Sequence, residues 1–255
     1  MANVTDTTRR LPASTLGPTA RHPHFRFQDA PAPICPAESL NERDRDGMFT
    51  DQFVPLMPYT HQAIYDRTQE PQDVPTVELE NDHLIVSVLP GWGGRITRCF
   101  DKGRNRELLF ENPVLQPANL AIRNAWFSGG IEWNGPLYGH SLLTCSPVYV
   151  GRITGPFGPG VRIWEFDRFN ASVWQVDMML EGGTFWAHPR ITNPSPTTDL
   201  NVSLSSAPHV PRPGSGSLCT DLAQQRTWTG LLVDECRPED HRRRARARCH
   251  AGQVR

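Results

Sequence analysis

The 255-residue chain carries 26 Lys and Arg against 27 Asp and Glu, a formal net charge of −1, so it has no overall field to gather nucleic acid or an anionic membrane. Its hydrophobic fraction is 38% and it holds 24 prolines, about twice the average share, which leaves part of the chain outside any packed core. No apolar run reaches the roughly 20 residues of a membrane helix, and the opening residues lack an apolar signal core; a cytoplasmic protein is expected, without nucleic-acid or membrane partners.

In chain order, residues 1–50 are rich in Pro, Thr, Arg and Asp. The segment "APAPICPAE" resists both helix and sheet, so this region reads as an extended or disordered lead-in. Within "FVPLMPYTHQAIYDR", Thr60 is placed to cap a short helix over "HQAIYDR". From Val77 the pattern changes to strands. "VELENDHLIVSVLPGWGGRITRCFDK" predicts two strands, a proline-glycine break and a third strand, with Leu84, Val86 and Val88 on one face and Ile85, Ser87 and Leu89 on the other. Further strands are predicted at "SLLTCSPVYVGRI", "VRIWEFDRF", "ASVWQVDMML" and "TFWAHPRITN". No helical period separates them, which argues for an all-β, antiparallel architecture. The domain therefore spans about 51–195. Residues 196–255 show no sustained alternation and close on an arginine and alanine cluster. This tail reads as a disordered segment, a basic patch, or out-of-frame translation of a GC-rich gene. The arginine cluster itself carries no aromatic platforms of the kind nucleic acid binding uses.

Cysteines at positions 35, 99, 145, 219, 236 and 249 form no C-x-x-C pair and are expected as free thiols. His22 and His24 have no third ligand near them, so no metal is expected. The glycines of "LPGWGGRIT" lead from strand to strand and not into a helix, which excludes a phosphate loop; Arg95 just beyond them is still placed to reach a ligand. There is no G-x-S-x-G elbow and no H-E-x-x-H.

The stretch "NAWFSGGIEWNGPLYGH" concentrates the chemistry. It sets Glu132 between a glycine pair and Trp133, adds Trp126, Asn124 and Asn134, and ends on His140. Indole faces for stacking, carboxamides for hydroxyls and a carboxylate are the mixture that a saccharide requires. Glu132 as base and His140 as acid, on opposite walls of one cleft, would suffice for proton transfer on a sugar. The alternative is a structural pair in which Glu132 satisfies buried donors and His140 fills a loop.

The run from "VELENDHLIVSVLPGWGGRITRCFDK" through "NPVLQPANLAIRNAWFSGGIEWN" to "GHSLLTCSPVY" resembles the domain of unknown function 5107 that opens many large bacterial tetratricopeptide-repeat proteins. The resemblance covers about Phe53 to Asn193. It implies a galactose-mutarotase-like β-supersandwich whose relatives hold sugars, work without cofactor, and use a histidine acid with a glutamate base. Of the site residues, only Glu132 in "GGIEWN" and His140 in "GH" carry over. It also implies protein partners through repeats in longer relatives. After Asn193 the resemblance stops, as in a truncated or frameshifted product.

Overall fold

A computed structural model gives the fold. It describes residues 1–21, 23–25, 56–134, 140–169, 171–192 and 203–206, with no side-chain detail at 23–25, 56–57 and 203–206. All regular elements there are strands: β1 (Asn3–Ala13), β2 (Pro23–Phe25), β3 (Leu56–Thr60), β4 (Glu70–Glu80), β5 (Leu84–Leu89), β6 (Arg95–Asp101), β7 (Arg106–Glu107), β8 (Ala118–Ala121), β9 (Asn124–Trp126), β10 (Ile131–Asn134), β11 (Tyr149–Gly155), β12 (Gly158–Asp167), β13 (Ser172–Glu181), β14 (Thr184–Thr192) and β15 (Ser203–Ser206). The larger sheet runs β1-β4-β5-β6-β10-β15, with β7 beside β6; the smaller runs β11-β12-β13-β14. Every strand pairing is antiparallel. Among the described residues no helix is long and apolar enough to cross a membrane.

The two sheets pack face to face. Leu79, Val86, Val88, Ile96, Ile131 and Trp133 from the larger meet Val161, Ile163, Val176, Met178, Phe185 and Ala187 from the smaller in one core cluster. A second cluster, Val74, Leu89, Leu115, Ala125, Phe127 and Cys145, covers the opposite face of the larger sheet. The larger sheet is thus buried on both sides, which is why β5 reads as a near-continuous apolar run and why both Val86 and Leu89 are fully buried.

Four expectations change. Residues 3–13, read as lead-in, form β1 in unbroken register with β4, from Asn3↔Glu80 to Ala13↔Glu70. The Asp, Arg and Pro residues that looked unstructured belong to an outer strand, where charge and proline discourage further pairing. No helix follows Thr60. Gln62 instead donates its backbone N–H to Arg123 O at 2.8 Å and its side-chain amide to Cys145 O at 2.8 Å, so tertiary partners satisfy groups that a helix would have satisfied locally. The segment "SLLTC" is turn, and the strand begins only at Tyr149. Finally, the pattern continues past residue 195, because Ser203–Ser206 pairs with β10.

Cys99 and Cys145 are free and buried, and burial pushes each thiol up to about 12. The thiolate is the reactive form. Iodoacetamide at pH 8 is therefore expected to leave both peptides unmodified in the native chain and to modify both in urea. Equal rates in the two conditions, read by peptide mass, would refute that burial.

Candidate functional site

The site lies on the face of the larger sheet away from the smaller one, and strand alternation puts it there. Ile96 and Ile131 pair across β6 and β10 and point into the inter-sheet core, so their neighbours Arg95 and Glu132 point to the opposite face. Gly130 allows β10 to enter this close. Its φ is +70°, and a Cβ there would lie 1.9 Å from the Ile96 carbonyl oxygen.

Glu132 is 4% exposed. Its Oε2 accepts hydrogen bonds from Trp126 Nε1 at 2.9 Å and from His140 Nδ1 at 2.9 Å, and lies 3.4 Å from Arg95 Nη2. Oε1 is buried with no hydrogen-bond partner among the described residues. A carboxylate only accepts, so Nδ1 of His140 is the donor in this pair, and whenever the ring is neutral Nε2 is its acceptor. The His140 side chain is 27% exposed, and its ring lies 4.8 Å from that of Trp126 at 41°. The pair is open on the imidazole side and closed on the carboxylate side.

Arg95 braces this arrangement from beneath. Nη1 donates to Phe127 O at 2.7 Å and Gly129 O at 3.0 Å, and Nη2 donates to Thr144 Oγ1 at 2.8 Å. The guanidinium also sits 4.1 Å from the Phe127 ring centroid, a cation–π contact. Burial pulls the Arg95 pKa below its ordinary value, and the nearby Glu132 charge opposes that pull. Arg123 fixes the segment after His140, donating to Leu142 O at 3.0 Å and Ser146 Oγ at 2.8 Å. Among the described residues no group of three or more His, Cys, Asp or Glu is placed to hold a metal.

Residues 51–208 match the family described as "Domain of unknown function (DUF5107)", which is more than half of the chain. The chain belongs to the DUF5107 family. It is similar in fold to a TPR-domain containing protein from Parabacteroides distasonis ATCC 8503, with a TM-score of 0.58 and 17% identity over 76% of this chain. The chain spans 30% of that protein's length. The family match runs to residue 208, so the DUF5107 region includes β15 and does not stop at 195; residues 207–255 lie outside the described part.

Against this DUF5107 geometry the expected site residues divide. Glu132, His140 and Trp126 come together, but Glu132 and His140 are one hydrogen-bonded unit and not opposite walls of a cleft. Trp133 is 6% exposed and donates Nε1 to Gly94 O at 2.8 Å. It faces the core because it neighbours Glu132 on the strand, so it is no stacking platform. Arg95, 3% exposed, holds protein carbonyls and does not reach outward. Asn134 is buried and accepts from the Ser141 backbone N–H at 2.9 Å, anchoring the backbone next to His140. Asn124 is half-buried at the start of β9 with φ 78°. Thr144 and Arg123 escaped the sequence reading, because "LLTCS" and "AIRNA" carry no motif and their partners are distant in the chain.

Proposed function

We propose that this DUF5107 domain binds a saccharide at the Trp126–His140 surface and transfers a proton on it through His140. The observation that carries the reading is a histidine whose Nδ1 is fixed at 2.9 Å by a buried carboxylate, beside a half-buried indole. Glu132 is then the positioning residue, which holds the tautomer and would stabilise the imidazolium, as the carboxylate of a histidine dyad does. In the proposed step Nε2 takes the proton of the anomeric hydroxyl while the bond from C1 to the ring oxygen breaks, its electrons going to that oxygen, which takes a proton from water. The open-chain aldehyde forms, and the imidazolium returns its proton to the hydroxide left behind. Such a group contributes on the order of 10²–10⁴-fold. Trp126 offers a stacking face to the sugar C–H groups. A cytoplasmic setting belongs to the same reading, as do protein contacts through repeats in longer relatives.

A second reading, recognition without reaction, is favoured by the engagement of Glu132 Oε2 with three donors. Saturation-transfer NMR and exchange spectroscopy on a panel of aldoses, with the full chain, separate the two. Catalysis predicts anomer exchange faster than in buffer, reduced at least tenfold in His140→Ala with binding retained, and weaker binding in Trp126→Ala. Binding with buffer-rate exchange selects recognition, and neither binding nor exchange across the panel overturns both.

A further inference from the structure

The outer face of the β11–β14 sheet turns away from the inter-sheet core, with Tyr149 61% and Phe166 48% exposed. Pairing registers lay out its side chains in rows. One row holds Tyr149, Trp164, Gln175 and Arg190; the next holds Arg162, Asp177 and His188; the third holds Met179 and Trp186. Two aromatic pairs bracket the charged centre. Tyr149 stacks with Trp164 at 5.6 Å and 18°, and Phe157 stacks with Trp186 at 5.2 Å and 22°. Trp164 is seated further over Gly151, where a Cβ would meet its ring at 3.2 Å.

The centre is a fixed cationic site. Arg162 grips Asp177 through two bonds of 2.5 and 2.7 Å, and Arg190 reaches the same carboxylate at 2.5 Å. Asp177 is 6% exposed while the Arg190 side chain is 46% exposed. Two guanidinium groups therefore share one buried carboxylate, which locks their orientation and leaves one positive charge in surplus at this centre; the carboxylate of Glu181 on the same face is engaged by Trp186 Nε1 at 3.2 Å. Burial alone would raise the Asp177 pKa; the two arginines overrule it and hold the carboxyl below its ordinary value.

We propose that this face binds an anionic oligosaccharide, with its acid groups on Arg162 and Arg190 and its rings against Trp164 and Trp186. At ordinary strand spacing the two indoles are about 16 Å apart along the diagonal, a span of a few sugar units. A second copy of this chain fits poorly, since face-to-face contact would set arginines against arginines. An extended peptide fits poorly too, because the sheet's own backbone groups are taken up in its ladders, and peptide addition uses edges. A sugar chain needs only side-chain donors and ring faces, and it keeps its outer hydroxyls in water. This surface lies apart from His140 and goes beyond the reading given there.

The test titrates the full chain with oligogalacturonate, its methyl-esterified counterpart and polyglutamate, followed by calorimetry and tryptophan fluorescence at low and high salt. Expected are binding of oligogalacturonate, at least tenfold weaker binding of the ester, and loss of affinity at high salt. Arg190→Gln should weaken binding at least tenfold while leaving aldose exchange unchanged. Should Arg190→Gln fold poorly, the contrast between acid and ester on the parent chain still decides. Equal affinity for acid and ester, tighter binding of polyglutamate, no binding of any probe, or an undiminished Arg190→Gln complex would each overturn the proposal.

Discussion

Gly130→Ala is expected to lower the stability of the chain by about 3 kcal/mol or more, placing it among the large single-site effects. Two costs combine. At φ +70° the residue sits in the left-handed region, where an L side chain costs about 1–2 kcal/mol. A Cβ would also lie 1.9 Å from Ile96 O and 3.0 Å from Thr97 Cα. Those are backbone atoms of the central strand β6, so relief requires moving β10 and not turning a side chain. Gly182→Ala supplies the control. Its φ is +53° with nothing within 4 Å of a Cβ, so it should show the conformational cost alone. Urea unfolding of both variants, followed by tryptophan fluorescence, would reject the steric account if the two losses were equal. Because β10 carries Glu132, Gly130→Ala should also disturb the His140 geometry, whereas Gly182→Ala should not.

Glu132→Gln is expected to cost about 3–5 kcal/mol, the range for removing one partner of a buried ion pair. The carboxylate and guanidinium are 4% and 3% exposed, so Arg95 would keep its charge in a site that no longer answers it. The amide could still accept from Trp126 Nε1, which confines the loss to charge and not to shape. Asp6→Asn is the contrasting case. Its bond to Arg152 at 2.8 Å joins side chains that are 75% and 61% exposed, and water already solvates both, so no measurable change is expected. Chemical denaturation of both variants is the measurement. A Glu132→Gln chain as stable as the parent would mean that the site is hydrated and that Arg95 is not braced against it.

The parts of the fold legible in sequence were those where neighbours along the chain also pair. β4 to β6 and β12 to β14 are meanders, and their alternation and turn residues are local; Asn81, for example, accepts from the backbone N–H groups of His83 and Leu84 at 2.9 and 2.8 Å, the turn chemistry of asparagine. β1 was hidden because an outer strand can carry Asp6, Arg9, Arg10 and Pro12 without penalty. Thr60 looked like a cap because the competing partners of Gln62, Arg123 and Cys145 lie far away in the chain. At the site, the residue types of Trp126, Glu132 and His140 were readable from "NAWFSGGIEWNGPLYGH". The period of two in "IEWN" already separates Glu132 from Trp133. Direct contact between Glu132 and His140 was not readable, since it depends on the path of the chain between them and on Arg95 drawing β6, Phe127 and Thr144 together.

The long ladder between β1 and β4 also bears on how the chain is made. Asn3 pairs with Glu80 and Ala13 with Glu70, so β1 leaves the ribosome well before β4 and cannot complete its ladder until the whole of β4 has followed it. At about 5–20 residues per second, that is a wait of seconds; β5 (Leu84–Leu89) emerges directly after β4, and a β4–β5 hairpin formed before β1 docks exposes β4 as a bare edge. Distant pairing of this kind slows folding more than it alters final stability. The charges and proline of β1 thus act twice: they keep the waiting segment soluble, and once it docks they seal the edge that would otherwise recruit a neighbouring nascent chain.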